Sequence, residues 1–321
     1  MASTPRYLSL FGSGELARRA EQAVARLSEC RMCPRDCAVD RLRGELGVCR
    51  TGRHAQVASW NLHFGEEAPL VGKMGSGTIF FAQCNLSCVF CQNWDISHPG
   101  EEFPVAGPER LAQIMLDLQA EGAANINFVS PSHVAAQILE ALPMAVERGL
   151  AVPLVYNSGG YDSLETLRLL DGVVDIYMPD AKFWDPETAR KLCGARDYPE
   201  RAREAVAEMH RQVGDLRLDG TGMAREGLLV RHLVMPEGLA GTAEWMRFIA
   251  GLSKDTYVNV MEQYRPCGKA CAMPGIDRAV SAKECSEAKQ MALDAGLMRL
   301  DDRCGDAAQK LLERLMNIQG G

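Results

Sequence analysis

No apolar run in this chain approaches the ~20 residues needed to cross a membrane. The opening MASTPRYLSLFGSGELARRA contains only the short piece LSLF, too brief for the core of a signal peptide. Long Lys/Arg runs are missing as well, and the formal net charge is −7, so the electrostatic footprint of a nucleic-acid binder is lacking. Repeats of solenoid period and low-complexity tracts are also absent. These absences predict a cytoplasmic protein with neither nucleic acid nor membrane among its partners. What remains is ordinary for a globular chain: 321 residues, 47% hydrophobic and 24% charged, enough for one large domain and an appendage.

Cysteine, by contrast, is abundant, with 12 in the chain. A reducing compartment keeps thiols free, and a chain of this size needs no disulfide staples, so metal or cluster ligation is the predicted role. The cysteines are also grouped. Cys30, Cys33, Cys37 and Cys49 form one set and Cys84, Cys88 and Cys91 a second, while Cys193, Cys267, Cys271, Cys285 and Cys304 are scattered behind.

From about residue 76 onward, short β-branched or aromatic runs alternate with amphipathic helical patterns, the mark of βα units around a parallel sheet. The strand candidates are GTIFFA, INFV, PLVY, VDIYM, GLLVRHLV and TYVNVM. In PERLAQIMLDLQAEG, Pro108 opens a helix whose apolar face is Leu111, Ile114, Met115 and Leu118. HVAAQILEAL, YDSLETLRLL, TAEWMRFIAGL and SAKECSEAKQMALDAG follow the same period, and Trp245, Phe248, Ile249 and Leu252 form a core stripe. Six such units suit an α/β fold of partial (β/α)6-barrel type; a doubly wound open sheet is the competing layout. In both, ligands gather at the carboxyl ends of the strands. The expected organisation is a helix and four-cysteine module over 1–75, the barrel over 76–300 and a C-terminal helix over 301–321. The helix ELARRAEQAVARL and the strand HAQVASW belong to the first module.

Polar or reactive residues follow the predicted strands: the loop CNLSCVFC, then Ser130 to His133, Asn157 to Asp162 and Pro179 to Lys182; the fifth strand carries Arg231 and His232 before Pro236, and the sixth ends in Glu262 to Tyr264. Cysteines spaced C-x3-C-x2-C can hold three corners of a [4Fe–4S] cube and leave the fourth iron without a protein ligand. A closed zinc site needs a fourth ligand, and only His98 is near in sequence. The loop is therefore read as a cluster site with an open iron.

CNLSCVFC, with Phe90 before the third cysteine, resembles the signature of the radical S-adenosylmethionine superfamily. CPRDC, GELGVCR, CQNWDIS, INFVSPSH, NSGGYDS, VDIYMPDAK, GLLVRHLVMPEG and MEQYRP extend the likeness over roughly residues 30 to 300. They are similar to an uncharacterised group related to pyruvate formate-lyase activating enzyme. The resemblance implies a radical SAM barrel in which S-adenosylmethionine chelates the open iron, and one electron cleaves it to methionine and a 5′-deoxyadenosyl radical that abstracts hydrogen. It implies Cys84, Cys88 and Cys91 as cluster ligands and Phe90 beside the adenine. Ser130 and Ser132 stand where relatives carry a Gly-Gly-Glu run for the cofactor's amino group, and that run is missing here. Asn157 would lie near the ribose or carboxylate. Asp180 and Lys182 match an Asp-x-Lys, and Arg231 a basic residue for the cofactor carboxylate. The implied partners are a reductant such as flavodoxin or ferredoxin and a glycyl radical enzyme, with a small molecule or peptide substrate as the alternative.

Cys30, Cys33, Cys37 and Cys49, spaced C-x2-C-x3-C-x11-C, are a full set of four soft ligands. They suit a structural zinc, a second [4Fe–4S] cluster or, less simply, unliganded core thiols, and the spacing does not choose among them. Cys267, Cys271 and Cys285 are read as buried hydrophobes, Cys193 and Cys304 as packing, and His133, His232, Gln263 and Tyr264 as hydrogen-bonding wall residues. A non-catalytic iron–sulfur carrier is the opposing reading, but an electron carrier gains nothing from an open iron.

Overall fold

A computed structural model describes residues 4–98, 100 and 102–301. The helix expected over 301–321 and Cys304 therefore lie, from residue 302 on, outside the described residues. Among the described residues, nine strands form one sheet: β1 (Ala55–His63), β2 (Ser76–Phe81), β3 (Val105–Ala106), β4 (Ile126–Val129), β5 (Leu154–Ser158), β6 (Ile176–Pro179), β7 (Arg217–Leu218), β8 (Ala224–Leu233) and β9 (Tyr257–Met261). Six of them, β2, β4, β5, β6, β8 and β9, run parallel and neighbour one another in chain order. A doubly wound sheet reverses its strand order partway, so this winding is that of a barrel. β9 pairs with β8 alone and leaves the barrel partial, which is the α/β architecture expected from the sequence. β1 runs antiparallel on β2, with His63 opposite Ser76.

The helices between the strands bury the predicted stripes. Pro108–Ala120 begins with proline at its first turn and buries Leu111, Ile114, Met115 and Leu118. Thr242–Leu252 buries Trp245 and Ile249, with Trp184 edge-on to Trp245 at 5.3 Å. Ala282–Asp294 starts with a capping box of Ser281 and Glu284. Two helices in the connection after β6, Pro186–Cys193 and Tyr198–Val213, were not anticipated. Their buried faces rely on Ala189, Ala202 and Ala205, small residues that give a weak apolar period. At the amino end, Glu15–Ala25 buries Leu16, Ala20 and Ala23 and lies against Ala135–Glu147. Among the described residues, no helix is long and apolar enough to cross a membrane.

Strand alternation explains how the apolar barrel becomes a polar cavity. Val155, Met178 and Leu229 share a small buried cluster. Two residues further along each strand, on the same face, stand Asn157, Asp180 and Arg231, which line the cavity.

His232, on the opposite face of β8 to Arg231, is fully buried; its Nδ1 lies 2.7 Å from the Ala181 carbonyl and its Nε2 2.9 Å from Thr242 Oγ1. Burial pushes its pKa down to about 4, so the ring is a neutral wall group. The unfolded chain takes up a proton near pH 6.5 that the fold refuses. The stability from this site is thus complete above about pH 6.5 and declines by a few kcal/mol as pH falls toward 4. A His232→Gln variant is expected to lose less of its urea midpoint than the parent between pH 7 and 4.5.

Candidate active site

A cavity of about 460 Å³ occupies the barrel mouth and interior. Its walls bring together Cys84, Cys88, Phe90, Cys91, Ser130, Asn157, Asp180, Lys182 and Arg231 from five of the six parallel strands and the loops that follow them. Ser132 is not on the wall. It is buried, and its hydroxyl has no hydrogen-bond partner among the described residues; the nearby Asp162, whose pKa is raised by burial, accepts from Tyr156 at 2.9 Å and Ser158 at 2.7 Å.

The three-cysteine loop is clamped through its backbone. Ser87 and Val89 N–H donate to the carbonyls of Cys193 and Leu192 at the end of Pro186–Cys193, and the Val89 carbonyl accepts from Lys269 and Ala270. Cys193, read from the sequence as packing alone, therefore supports this loop and also contacts the Cys88 thiol. The CGKAC segment supports the other side: Gly268, at φ +54, passes so close to Trp94 that a Cβ would stand 2.1 Å from its ring. Of the three cysteines read as buried hydrophobes, only Cys285 is buried; Cys267 is half-buried and Cys271 exposed.

The described cysteines are all free. Cys84 Sγ accepts from Leu86 N–H at 3.3 Å, and Cys91 Sγ from the Ser97 hydroxyl at 3.2 Å. His98 stacks on Trp94 at 3.6 Å and reaches Ser97. Burial, reinforced by the charge of Cys88, pushes the Cys84 thiol up to about 12; burial also raises Cys91. Cys88 is raised by its hydrogen bond with Cys193 and by burial. Lys182 opposes all three shifts. Three adjacent thiols, Cys88 buried and Cys84 and Cys91 half-buried, with donors aimed at two of their sulfurs and a cation alongside, suit a thiolate-bound iron–sulfur group.

Lys182 Nζ lies 2.6 Å from Asp180 Oδ2. Burial works against its charge, but Asp180 and Cys88 outweigh that and raise its pKa, so it remains a cation. Phe90 is buried, edge-on to Phe183 at 5.6 Å and beside Tyr264, whose hydroxyl donates to the Ile276 carbonyl. Ser130 holds φ +58, a left-handed backbone rare outside glycine, and its N–H donates to the Asn157 carbonyl. That strain, of about 1–3 kcal/mol, sits at the cavity wall.

One half of the cavity was not legible from motifs. Glu66 and Glu67 follow β1 and enter from the amino end of the parallel strands. Glu67, fully buried, accepts from Arg231 Nε at 2.8 Å, from its Nη2 at 2.6 Å and from Asn259 Nδ2 at 2.6 Å. Glu66 also pairs with Arg231, and its other oxygen lies 3.0 Å from His63 Nδ1. Burial disfavours both charged forms, yet the pairing lowers the Glu67 pKa and raises that of Arg231. Arg231, expected to face a cofactor carboxylate, is thus already engaged by two carboxylates of its own chain.

Gly160 fixes the turn after β5. It has φ +78, and a Cβ there would stand 2.3 Å from the Asp180 carbonyl oxygen. The Tyr198 hydroxyl donates to that same carbonyl at 2.7 Å. Gly160→Ala is expected to lower stability by ~2–4 kcal/mol, read as a urea midpoint, because strain adds to a steric clash with backbone.

The sequence profile described as Radical SAM superfamily matches residues 78–221. Uncharacterized protein MJ0674 of Methanocaldococcus jannaschii is 34% identical over 284 residues, covering 85% of this chain and 77% of that protein. Uncharacterized protein MJ0808 of the same organism is 25% identical over 186 residues, covering 53% of this chain and 54% of that one. Among solved structures, TYW1 with a lysine-pyruvate adduct bound aligns with TM-score 0.43 at 12% identity, over 68% of this chain and 73% of its own. SuiB of Streptococcus suis bound to the precursor peptide SuiA aligns with TM-score 0.44 at 12% identity, over 66% and 43%.

Proposed function

This chain belongs to the Radical SAM superfamily, and from that premise we propose that it binds a [4Fe–4S] cluster through Cys84, Cys88 and Cys91 and cleaves S-adenosylmethionine reductively to abstract hydrogen from a substrate. The observation that carries the reading is the meeting of those three unbridged thiols with Lys182 and Phe90 on one cavity wall. When bound, the cluster supplies the single electron and the open iron that S-adenosylmethionine needs.

The residues then divide the work. Cys84, Cys88 and Cys91 hold the cluster, and the backbone clamp on Ser87 and Val89 fixes their loop. Lys182, kept charged by Asp180, is the cation that faces an anionic group near the sulfurs. Phe90 offers an apolar surface to an aromatic base. Asn157 and the left-handed backbone of Ser130 offer polar groups at the rim. Glu66 and Glu67, neutralised in part by Arg231, form an anionic floor.

The hydrogen donor is read as a glycyl Cα–H on a loop of a partner enzyme, as the resemblance to activating enzymes implies. A small molecule or free peptide is the second reading; the cavity, at about 460 Å³, has the size that takes one drug-sized ligand. Cys30, Cys33, Cys37 and Cys49 are read as a second metal centre, and the electron source as a flavodoxin or ferredoxin. Anaerobically reconstituted, reduced protein given S-adenosylmethionine is expected to yield 5′-deoxyadenosine, and deuterium entering that product from glycine-labelled partner protein would separate the two substrate readings. Fully loaded protein that forms no 5′-deoxyadenosine with any hydrogen donor offered would overturn the assignment.

A further inference from the structure

We propose that Glu66 anchors the cationic end of the substrate, a protonated alkylamine, in the cavity that also carries the three-cysteine loop. This names the substrate class and rests on the radical SAM reading of that loop. The charges on the cavity wall do not balance. Asp180 and Lys182 pair at 2.6 Å, which leaves Glu66 and Glu67 sharing one cation, Arg231. Glu67 takes the larger share, because Arg231 Nε and Nη2 and the Asn259 amide all donate to it. Glu66 accepts only from the shared Nη2, and its other oxygen faces His63 Nδ1 at 3.0 Å. Two carboxylates against one guanidinium leave an excess negative charge where Glu66 is 5% exposed. A buried charge without a counter-ion is costly, and a ligand that brings a cation removes the cost.

A second, independent observation points to a ligand. Asn157 and Gln83 line the same cavity and are each 8% exposed, and among the described residues neither side-chain amide has a hydrogen-bond partner. Asn157 stands on the inward face of β5 and Gln83 just past the end of β2, where it holds a left-handed backbone with φ +69. Amides buried this far without partners are unfavourable until something polar meets them. The wall therefore offers an unbalanced carboxylate and two open amides to whatever enters.

The surroundings select an organic cation. Leu233 and Met261 are register partners on β8 and β9, two residues beyond Arg231 and Asn259 on the same faces, and both line the cavity. Phe80, on β2, also lines it and meets the His63 ring edge-on at 5.8 Å. These three side chains give an aliphatic stem an apolar surface to lie on. A bare metal ion would instead demand a shell of oxygen ligands, and the oxygens of Glu66 and Glu67 are already shared with Arg231, Asn259 and His63. An ammonium group needs only one carboxylate and a few further acceptors for its three donors.

The ammonium of S-adenosylmethionine itself belongs at the other end. Cys84, Cys88 and Cys91 lie past the carboxyl end of β2, whereas Glu66 and Glu67 follow β1 and enter from the amino end of the parallel strands. A substrate cation held at Glu66 leaves its stem in the space between the carboxylates and the thiols. The bond that loses hydrogen then lies on that stem or beyond it.

The test is calorimetric binding to anaerobically reconstituted protein loaded with S-adenosylmethionine, with n-pentylamine, pentanamide and pentanoate as cationic, neutral and anionic probes of similar size. n-Pentylamine is expected to bind about tenfold or more tightly than pentanamide, and pentanoate more weakly than either. Glu66→Gln, which keeps the shape of the side chain, should reduce n-pentylamine affinity about tenfold or more and leave S-adenosylmethionine affinity within about twofold. Acetyl-Gly-Lys-Gly-amide and its glutamine counterpart separate the sources of the cation. A lysyl peptide that binds more tightly than n-pentylamine identifies a peptide substrate, and one that binds more weakly identifies a small amine. Equal affinity of wild type for n-pentylamine and pentanamide overturns the proposal, whether or not Glu66→Gln folds. So does a parallel fall in S-adenosylmethionine affinity in Glu66→Gln, which would assign Glu66 to the cofactor's ammonium. Cation binding that appears only in His63→Gln also overturns it, since His63 would then be the counter-ion. Loss of the radical SAM reading would register differently, as protein that binds n-pentylamine yet takes no iron at Cys84, Cys88 and Cys91.

Discussion

Replacing Cys84, Cys88 and Cys91 together with alanine is expected to remove about four irons per chain and reduce dithionite-driven 5′-deoxyadenosine formation by at least ~10³-fold. The size of the effect follows from the chemistry. On the proposed reading, loss of the three thiols removes both the source of the electron at the cavity wall and the iron that would position the sulfonium. The loop itself should survive, because the carbonyls of Leu192 and Cys193 and the N–H groups of Lys269 and Ala270 hold its backbone. Near-wild-type circular dichroism with product lost is therefore the expected result. Product formed at the wild-type rate by iron-depleted variant would remove these cysteines from the chemistry.

Arg231→Met is expected to cost the fold ~3–5 kcal/mol, read as a drop in urea midpoint at pH 7. The methionine fills similar space but leaves the Glu66 and Glu67 carboxylates beside each other in a buried cavity without their cation. The sign of the pH dependence checks the cause. In the parent, pairing depresses the Glu67 pKa, so its contribution is present above the ordinary glutamate range and is lost as pH falls through the folded value. In the variant, burial without a partner raises that pKa, and protonation relieves the repulsion. The gap between parent and variant should therefore narrow from pH 7 to pH 5. Adding Glu66→Gln and Glu67→Gln to Arg231→Met should recover most of the loss; no recovery would place the cost in packing rather than in uncompensated charge.

Much of the barrel was legible because its determinants are local. Strand runs such as INFV and VDIYM, and the Leu111, Ile114, Met115, Leu118 stripe, declare their period within one element. Helix Tyr198–Val213 escaped notice because alanines carry much of its buried face between charged residues. The site divides along the same line. The three cysteines and Phe90 stand in one loop of eight residues, where spacing alone restricts the ligand. Asp180 and Lys182 share a strand end. Glu66 and Glu67 sit in GEEAP, a sequence that reads as an ordinary solvated turn, and nothing nearby indicates that they are buried.

The sequence by itself determined that a three-cysteine loop follows the first strand of a βα series and that four further cysteines precede it, since those facts depend on the order and spacing of residues. Tertiary structure alone decided which distant groups meet: Glu67 with Arg231 across 164 positions, Arg35 with the Asn85 carbonyl across 50, and Arg41 with His133 across 92. Each joins charged or strongly polar groups with no local partner, and burial leaves a charge or an open donor no alternative but to find its complement elsewhere in the chain. The physical reason is that periodicity encodes which face of an element is buried, whereas pairing of buried charges depends on how the elements come together.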